Sequence, residues 1–196
     1  KNFTYKSQDP IKIKEFKEKI KNIHKERLVY IDECGVHNNL CYEYGYAFKG
    51  HRLAGKKSPR ATKKFNIIAS LNNKKITSYK ILETNCKSED FINFIEKKLL
   101  SSLKPGQIVI MDNASFHKSP KIRELIESAS CELLYLPPYS PELNDIEHYW
   151  FELKNNIRKL ERYFDIANIL KIILEQILLY KVIDSTWRQK LLKNVL

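Results

Sequence analysis

Two stretches of this chain read as buried strands, and both run into an aspartate. Arg27–Cys34 (RLVYIDEC) and Gln107–Asp112 (QIVIMD) are short apolar runs rich in β-formers. A strand that is apolar on both sides needs cover on both faces, which calls for a sheet with helices packed against it. A carboxylate placed directly after VYI or IVIM is costly to bury unless it is paired or metal-bound. In open α/β sheets, strand ends are also where ligand sites form. Asp32 and Asp112 are therefore the first candidates for chemistry.

The rest of the chain supplies the elements such a sheet requires. Residues 40–48 alternate around tyrosines like a strand, and Phe65–Leu71 and Ile76–Leu82 form a hairpin across Asn72-Asn73-Lys74-Lys75. Ser88 is the expected cap of a helix with Glu89 and Asp90 in its first turn and Phe91, Ile92, Ile95 and Leu99 facing inward. A helix from Ser119 or Pro120 to about Ser128 follows, then a strand over Glu132–Leu136 stopped by Pro137-Pro138. Ser140-Pro141 supplies the cap and first turn of a long helix with the apolar stripe Leu143, Ile146, Trp150, Leu153 and Ile157. The region 165–181 is apolar nearly all round and needs cover from the domain or from another subunit. This order predicts an α/β fold, a mixed sheet of five or more strands flanked by helices.

Composition narrows the partners. The 196 residues carry 35 Lys+Arg against 23 Asp+Glu, a formal net charge of +12. Ten of those positive charges lie in 44–82, which contains no acidic residue: Lys49, Arg52, Lys56, Lys57, Arg60, Lys63, Lys64, Lys74, Lys75 and Lys80. Unbalanced charge on one segment repels itself unless it meets a polyanion, so this stretch is the candidate phosphate-binding surface. The segment 1–27 is basic too, but interleaved with Asp9, Glu15, Glu18 and Glu26 it reads as an amphipathic helix with a solvated face. No run approaches 18 apolar residues, which excludes a spanning helix, and no signal peptide opens the chain. Cys34, Cys41, Cys86 and Cys131 form no C-x-x-C pair, so a zinc ribbon or a disulfide framework is not expected and a reducing cytosol fits best. The chain starts at Lys1 and its one methionine is Met111, from which a longer parent chain is expected.

A third acid, Glu147, falls on the flank of the long helix's apolar stripe, from where it could reach the sheet edge. Three oxygen ligands without a Cys/His cluster suit Mg²⁺ or Mn²⁺ rather than zinc. Beside a basic segment, that donor set fits two-metal phosphodiester chemistry. Each acid has a plainer reading. Asp112 before Asn113-Ala114-Ser115 could be a turn former, Glu147 a solvated helix residue, and His117 a surface or capping histidine. Glu33 competes with Asp32 because strand neighbours face opposite ways; the apolar alternation favours Asp32.

Three blocks go further: YIDECG, IVIMDNASFHKS and LLYLPPYSPELNDIEHYWFELK, joined by CYEYGYAFKGHRL and KPGQ. Together they closely resemble the catalytic blocks of mariner-like bacterial insertion-sequence transposases of the DDE superfamily, over almost the whole chain. The 34 residues between Asp112 and Glu147 match the spacing in one branch of that superfamily. The resemblance implies a ribonuclease-H-like core in which Asp32, Asp112 and Glu147 bind two Mg²⁺ or Mn²⁺ ions and cleave and join DNA strands at transposon ends. It further implies that Asn113 and His117 lie near the centre, orienting a ligand or contacting phosphate, and that Lys118 adds a phosphate contact. The loop 49–64, with Lys49, Arg52, Lys56, Lys57, Arg60, Lys63 and Lys64, would contact DNA and a partner subunit in a homodimer. Relatives precede this domain with helix-turn-helix modules, so 1–26 is expected to be a linker, 27–196 the catalytic domain, and 165–196 a C-terminal helical region. The implied setting is a bacterial cytoplasm, associated with the nucleoid and not with a membrane. Asp145 stands where the family usually has proline, and Cys34 where it usually has serine. A copy that only binds DNA or dimerises, or a stand-alone nuclease of the same fold, are the alternative readings.

Overall fold

A computed structural model describes residues 8–38, 40, 47–52, 63–160 and 165–170. Helix α1 (Pro10–Lys21) is capped by Asp9, whose carboxylate accepts from the Ile11 and Lys12 amides. The elements that follow are β1 (Leu28–His37), β2 (Lys64–Asn72), β3 (Lys75–Leu82), α2 (Ser88–Phe94), β4 (Ile108–Met111), α3 (Pro120–Ser128), β5 (Glu132–Tyr135) and α4 (Ile146–Leu160). The five strands form one mixed sheet in the order β3-β2-β1-β4-β5. β1–β2 and β2–β3 are antiparallel, while β1–β4 and β4–β5 are parallel.

The two faces are covered by different helices. Leu28, Tyr30, Cys34, Val36, Ile108 and Ile110 pack with Phe16 of α1 and with Trp150, Leu153 and Ile157 of α4. Val29, Ile31, Val109 and Met111 pack with Phe91 and Phe94 of α2 and Ile122 and Ile126 of α3. Burial on both sides is why β1 and β4 are apolar at successive positions. The hairpin turn between β2 and β3 is the two-residue pair Asn73-Lys74, both at positive φ (45° and 61°), as a type I′ turn demands.

Three boundaries differ from expectation. β1 continues through Gly35 to His37, because β2 runs alongside it that far and pairs Val36 with Phe65. α2 is capped one residue early, at Lys87, whose amide donates to the Asp90 carboxylate at 3.3 Å. The long helix α4 begins at Ile146 rather than Pro141: residues Pro141–Leu143 form a single 3₁₀ turn, and Asn144 is extended (φ −98°, ψ 101°), which breaks the helix between them. Most of the expected strand at 40–48 lies outside the described residues, as does 171–181 of the expected last helix. Residues 166–170 are helical.

Candidate active site

The parallel register between β1 and β4 places the first two acids. Tyr30 pairs with Ile110, and Asp32 and Asp112 each follow two residues later, so both acids lie towards the same end of the two parallel strands. β4 stops at Met111 while β1 runs on, so the pair lies where the sheet opens at the carboxyl end of β4. Glu147 reaches the same place from the first turn of α4. All three carboxylates line one open cleft of about 460 Å³, together with Asn113, Ala114, Asn144 and the loop Leu136–Pro141. Tyr139 in that loop is held at φ 57° and is exposed, an uncommon conformation for an aromatic residue.

The three acids sit in different environments. Asp32 is on the α4 side of β1, where its Oδ2 accepts a hydrogen bond from Trp150 Nε1 at 3.1 Å. Burial, with the nearby Glu147 and Glu33 charges, pushes its carboxyl up to about 7. Glu147 and Trp150 are three residues apart on α4 and so share a face. Asp112 is half-exposed and behaves oppositely. Burial would raise it, but hydrogen bonds from His117 and from the Ala114 amide hold its carboxyl below the ordinary value. Both of those bonds end on Oδ1, and Oδ2 takes none among the described residues.

His117 is not the surface or capping histidine of its plainer reading. It sits in a 3₁₀ turn (Ser115–Lys118) with 0% exposure, against the rings of Phe91 and Phe116 at centroid distances of 4.2 and 4.1 Å. Its Nδ1 bonds Asp112 Oδ1, and its Nε2 lies 3.0 Å from Glu33 Oε1. Burial alone would lower its pKa. The two carboxylates more than offset that and push the imidazole up to about 9, so both ring nitrogens carry protons. Both ring nitrogens are thus engaged by carboxylates, Asp112 on one side and Glu33 on the other.

The other expected contacts divide. Asn113 lines the cleft and also a groove that continues past Pro137 to Lys12 and Lys19 of α1. Lys118, Lys49 and Arg52 are exposed but do not line the cleft. Lys63 is engaged with Asp165 at 2.9 Å and Lys64 with Asn85 at 3.1 Å. Lys56, Lys57 and Arg60 lie outside the described residues. Asp145 is exposed and does not line the cleft; its charge adds to burial in pushing Tyr30 up to about 12. Two site residues were not expected from the sequence. Glu33, discounted as the wrong neighbour of Asp32, holds His117 from the α2–α3 side of the sheet. Trp150, read as core, is also the donor to Asp32.

The carboxylates suit a hard divalent cation by chemistry, since all are oxygen donors. The raised Asp32 carboxyl is what a cation offsets, because burial and a neighbouring negative charge both favour its neutral form. Among the described residues, no three acidic, histidine or cysteine side chains are already gathered into a closed ion cage. The residues therefore fit an ion in donor type, and the cleft leaves room for substrate oxygens to complete a shell.

Solved structures share this architecture. The chain superposes on the Mos1 transposase paired-end complex with left transposon end at a TM-score of 0.72 and 15% identity, over 90% of this chain and 57% of that one. The Mos1 strand transfer complex gives 0.71 at 18% identity, over 90% and 56%. The catalytic domain of Mos1 mariner transposase gives 0.54 at 16% identity, over 85% and 78%. At such identities the likeness is one of fold, and the fold is ribonuclease-H-like. An uncharacterized protein, y4pE/y4sA of Sinorhizobium fredii (strain NBRC 101917 / NGR234), is 37% identical over 49 residues, 25% of this chain and 34% of that protein. The chain thus spans about a third of that relative and somewhat more than half of the full Mos1 chains. Residues 27–171 match the family described as DDE superfamily endonuclease, and the chain belongs to that family.

Proposed function

We propose that this chain is the catalytic domain of a DNA transposase, and that Asp32, Asp112 and Glu147 are the acids at which DNA strands are cut and joined. The observation that carries the reading is that three acids far apart in sequence, on β1, after β4 and on α4, line one cleft. Family membership and the fold of Mos1, which has been solved in paired-end complexes with Mn and with Mg, support it.

The chain's own residues divide the work. Asp112 offers Oδ2 while His117 and the Ala114 amide hold Oδ1. Asp32 is steadied through Oδ2 by Trp150 and gives up its proton as positive charge enters the cleft. Glu147, exposed at the start of α4, is free to complete the set. Bound Mg²⁺ or Mn²⁺, two ions in the scheme proposed, would activate a water or DNA 3′-hydroxyl and neutralise charge on the phosphate. Lys49 and Arg52, exposed in the acid-free segment, attract the DNA backbone without reading its sequence. A homodimer holding paired ends belongs to the same proposal.

The test is cleavage and strand transfer on DNA carrying the element's ends, with Mg²⁺ and the longest natural form of the protein. Asp32→Asn, Asp112→Asn and Glu147→Gln should each lower the rate by more than about a hundredfold, the upper range for loss of a residue that merely supports a metal ligand. Retention of wild-type cleavage by Asp112→Asn would overturn the assignment.

A further inference from the structure

We infer that Glu33 is a positioning residue for the proposed site, acting through His117 to fix which oxygen of Asp112 faces the cleft. This rests on the reading of Asp112 as a metal ligand. Glu33 itself cannot be a ligand. It follows Asp32 on β1, and successive strand residues face opposite sides. Asp32 accordingly meets Trp150 of α4, whereas Glu33 lies on the side covered by α2 and α3.

What Glu33 does touch is the buried imidazole. Its Oε1 lies 3.0 Å from His117 Nε2, and the opposite ring nitrogen bonds Asp112 Oδ1. The ring between them cannot swing away. It is fully buried against the tilted rings of Phe91 and Phe116 on two adjacent sides, and its backbone carbonyl accepts from the Tyr135 hydroxyl at 2.9 Å. A ring held in this plane delivers Nδ1 to one carboxylate oxygen only. With the Ala114 amide also on Oδ1 at 3.0 Å, the Asp112 carboxylate is locked in rotation and Oδ2 is the oxygen left for a cation. Carboxylate–histidine–ligand chains of this kind orient a ligand before the metal arrives.

Positioning depends on where the Glu33 acceptor sits rather than on its charge, and two conservative variants separate these. Glu33→Asp keeps the charge but withdraws the acceptor by roughly one carbon–carbon bond, about 1.5 Å. Glu33→Gln removes the charge but leaves an amide oxygen at the same reach. Mn²⁺ affinity is read by titration calorimetry on the full chain, with thermal melting to confirm that each variant is folded. Glu33→Asp should bind Mn²⁺ about tenfold more weakly than wild type, and Glu33→Gln should retain most of the affinity. In wild type and Glu33→Gln, proton NMR should show a slowly exchanging, downfield Nε2–H that Glu33→Asp loses. Wild-type affinity in Glu33→Asp, or a greater loss in Glu33→Gln than in Glu33→Asp, would overturn the inference while the triad stands. Unchanged Mn²⁺ binding in Asp112→Asn would instead remove the triad reading and this inference with it.

Discussion

Trp150 Nε1 donates to Asp32 Oδ2 at 3.1 Å, across 118 residues of sequence. The bond ties α4 to β1 at the point where Glu147, one turn earlier on α4, enters the cleft. The indole thus serves two ends, filling the core on one side of the sheet and stabilising the ionised form of a buried acid.

Trp150→Phe keeps most of the ring volume and removes the donor. The Asp32 carboxyl, already pushed up to about 7, should rise further, because the lost bond favoured its charged form. Stability at neutral pH should fall by about 1–2 kcal/mol, the cost of a buried acceptor left unmet plus the smaller ring. Denaturant unfolding and a carboxyl-selective NMR titration measure the two effects.

The raised Asp32 carboxyl also sets a pH trend. Its folded value lies above the ordinary 3.8, so the folded state holds the proton more tightly than the unfolded chain. The resulting stabilisation is complete below about pH 4 and is lost as pH rises towards and through 7. Metal-free Asp32→Asn should therefore be more stable than wild type at pH 8, by an amount on the order of 2–4 kcal/mol, with the gap shrinking on acidification and closing only below about pH 4. Mn²⁺ should raise the wild-type melting temperature more at pH 8 than at pH 6. Equal melting of the two proteins at pH 8 would argue against the buried, charge-opposed setting of Asp32.

The β2–β3 turn offers a gain. Lys74 is held at φ 61°, which costs a side-chain-bearing residue and not glycine. Lys74→Gly introduces the Asn-Gly pair favoured in type I′ turns and should stabilise the domain by about 0.5–1 kcal/mol in denaturant unfolding.

Phosphate contacts are expected to follow exposure and pairing. Lys49→Ala and Arg52→Ala should each make the logarithmic dependence of DNA affinity on salt shallower by about 0.9 for duplex DNA. Lys63→Ala should change that slope less, since its ammonium already pairs with Asp165. Fluorescence anisotropy across a salt series distinguishes these outcomes.

Much of the framework was legible because it is local. The apolar runs of β1 and β4, the hairpin across Asn73-Lys74, and the stripe Ile146, Trp150, Leu153 and Ile157 follow from two- and 3.6-residue periods that neighbours along the chain impose. The α4 boundary was misread because Ser140-Pro141 does open a turn, but the extended Asn144 stops it after three residues.

What the sequence by itself determined is the list of parts: alternating strands and helices, three acids in apolar or flanking positions, and a basic stretch free of acids. It also set Asp32 and Glu33 on opposite sides, since strand parity is a property of the backbone. Only the tertiary structure decided which side is which, because that depends on α4 docking over one face and α2 with α3 over the other. The same holds for His117. Its neighbours in sequence read as a surface turn, yet Glu33, 84 residues away, and Phe91 enclose it. Pairings over such separations are set by how layers pack, and no local pattern carries that information.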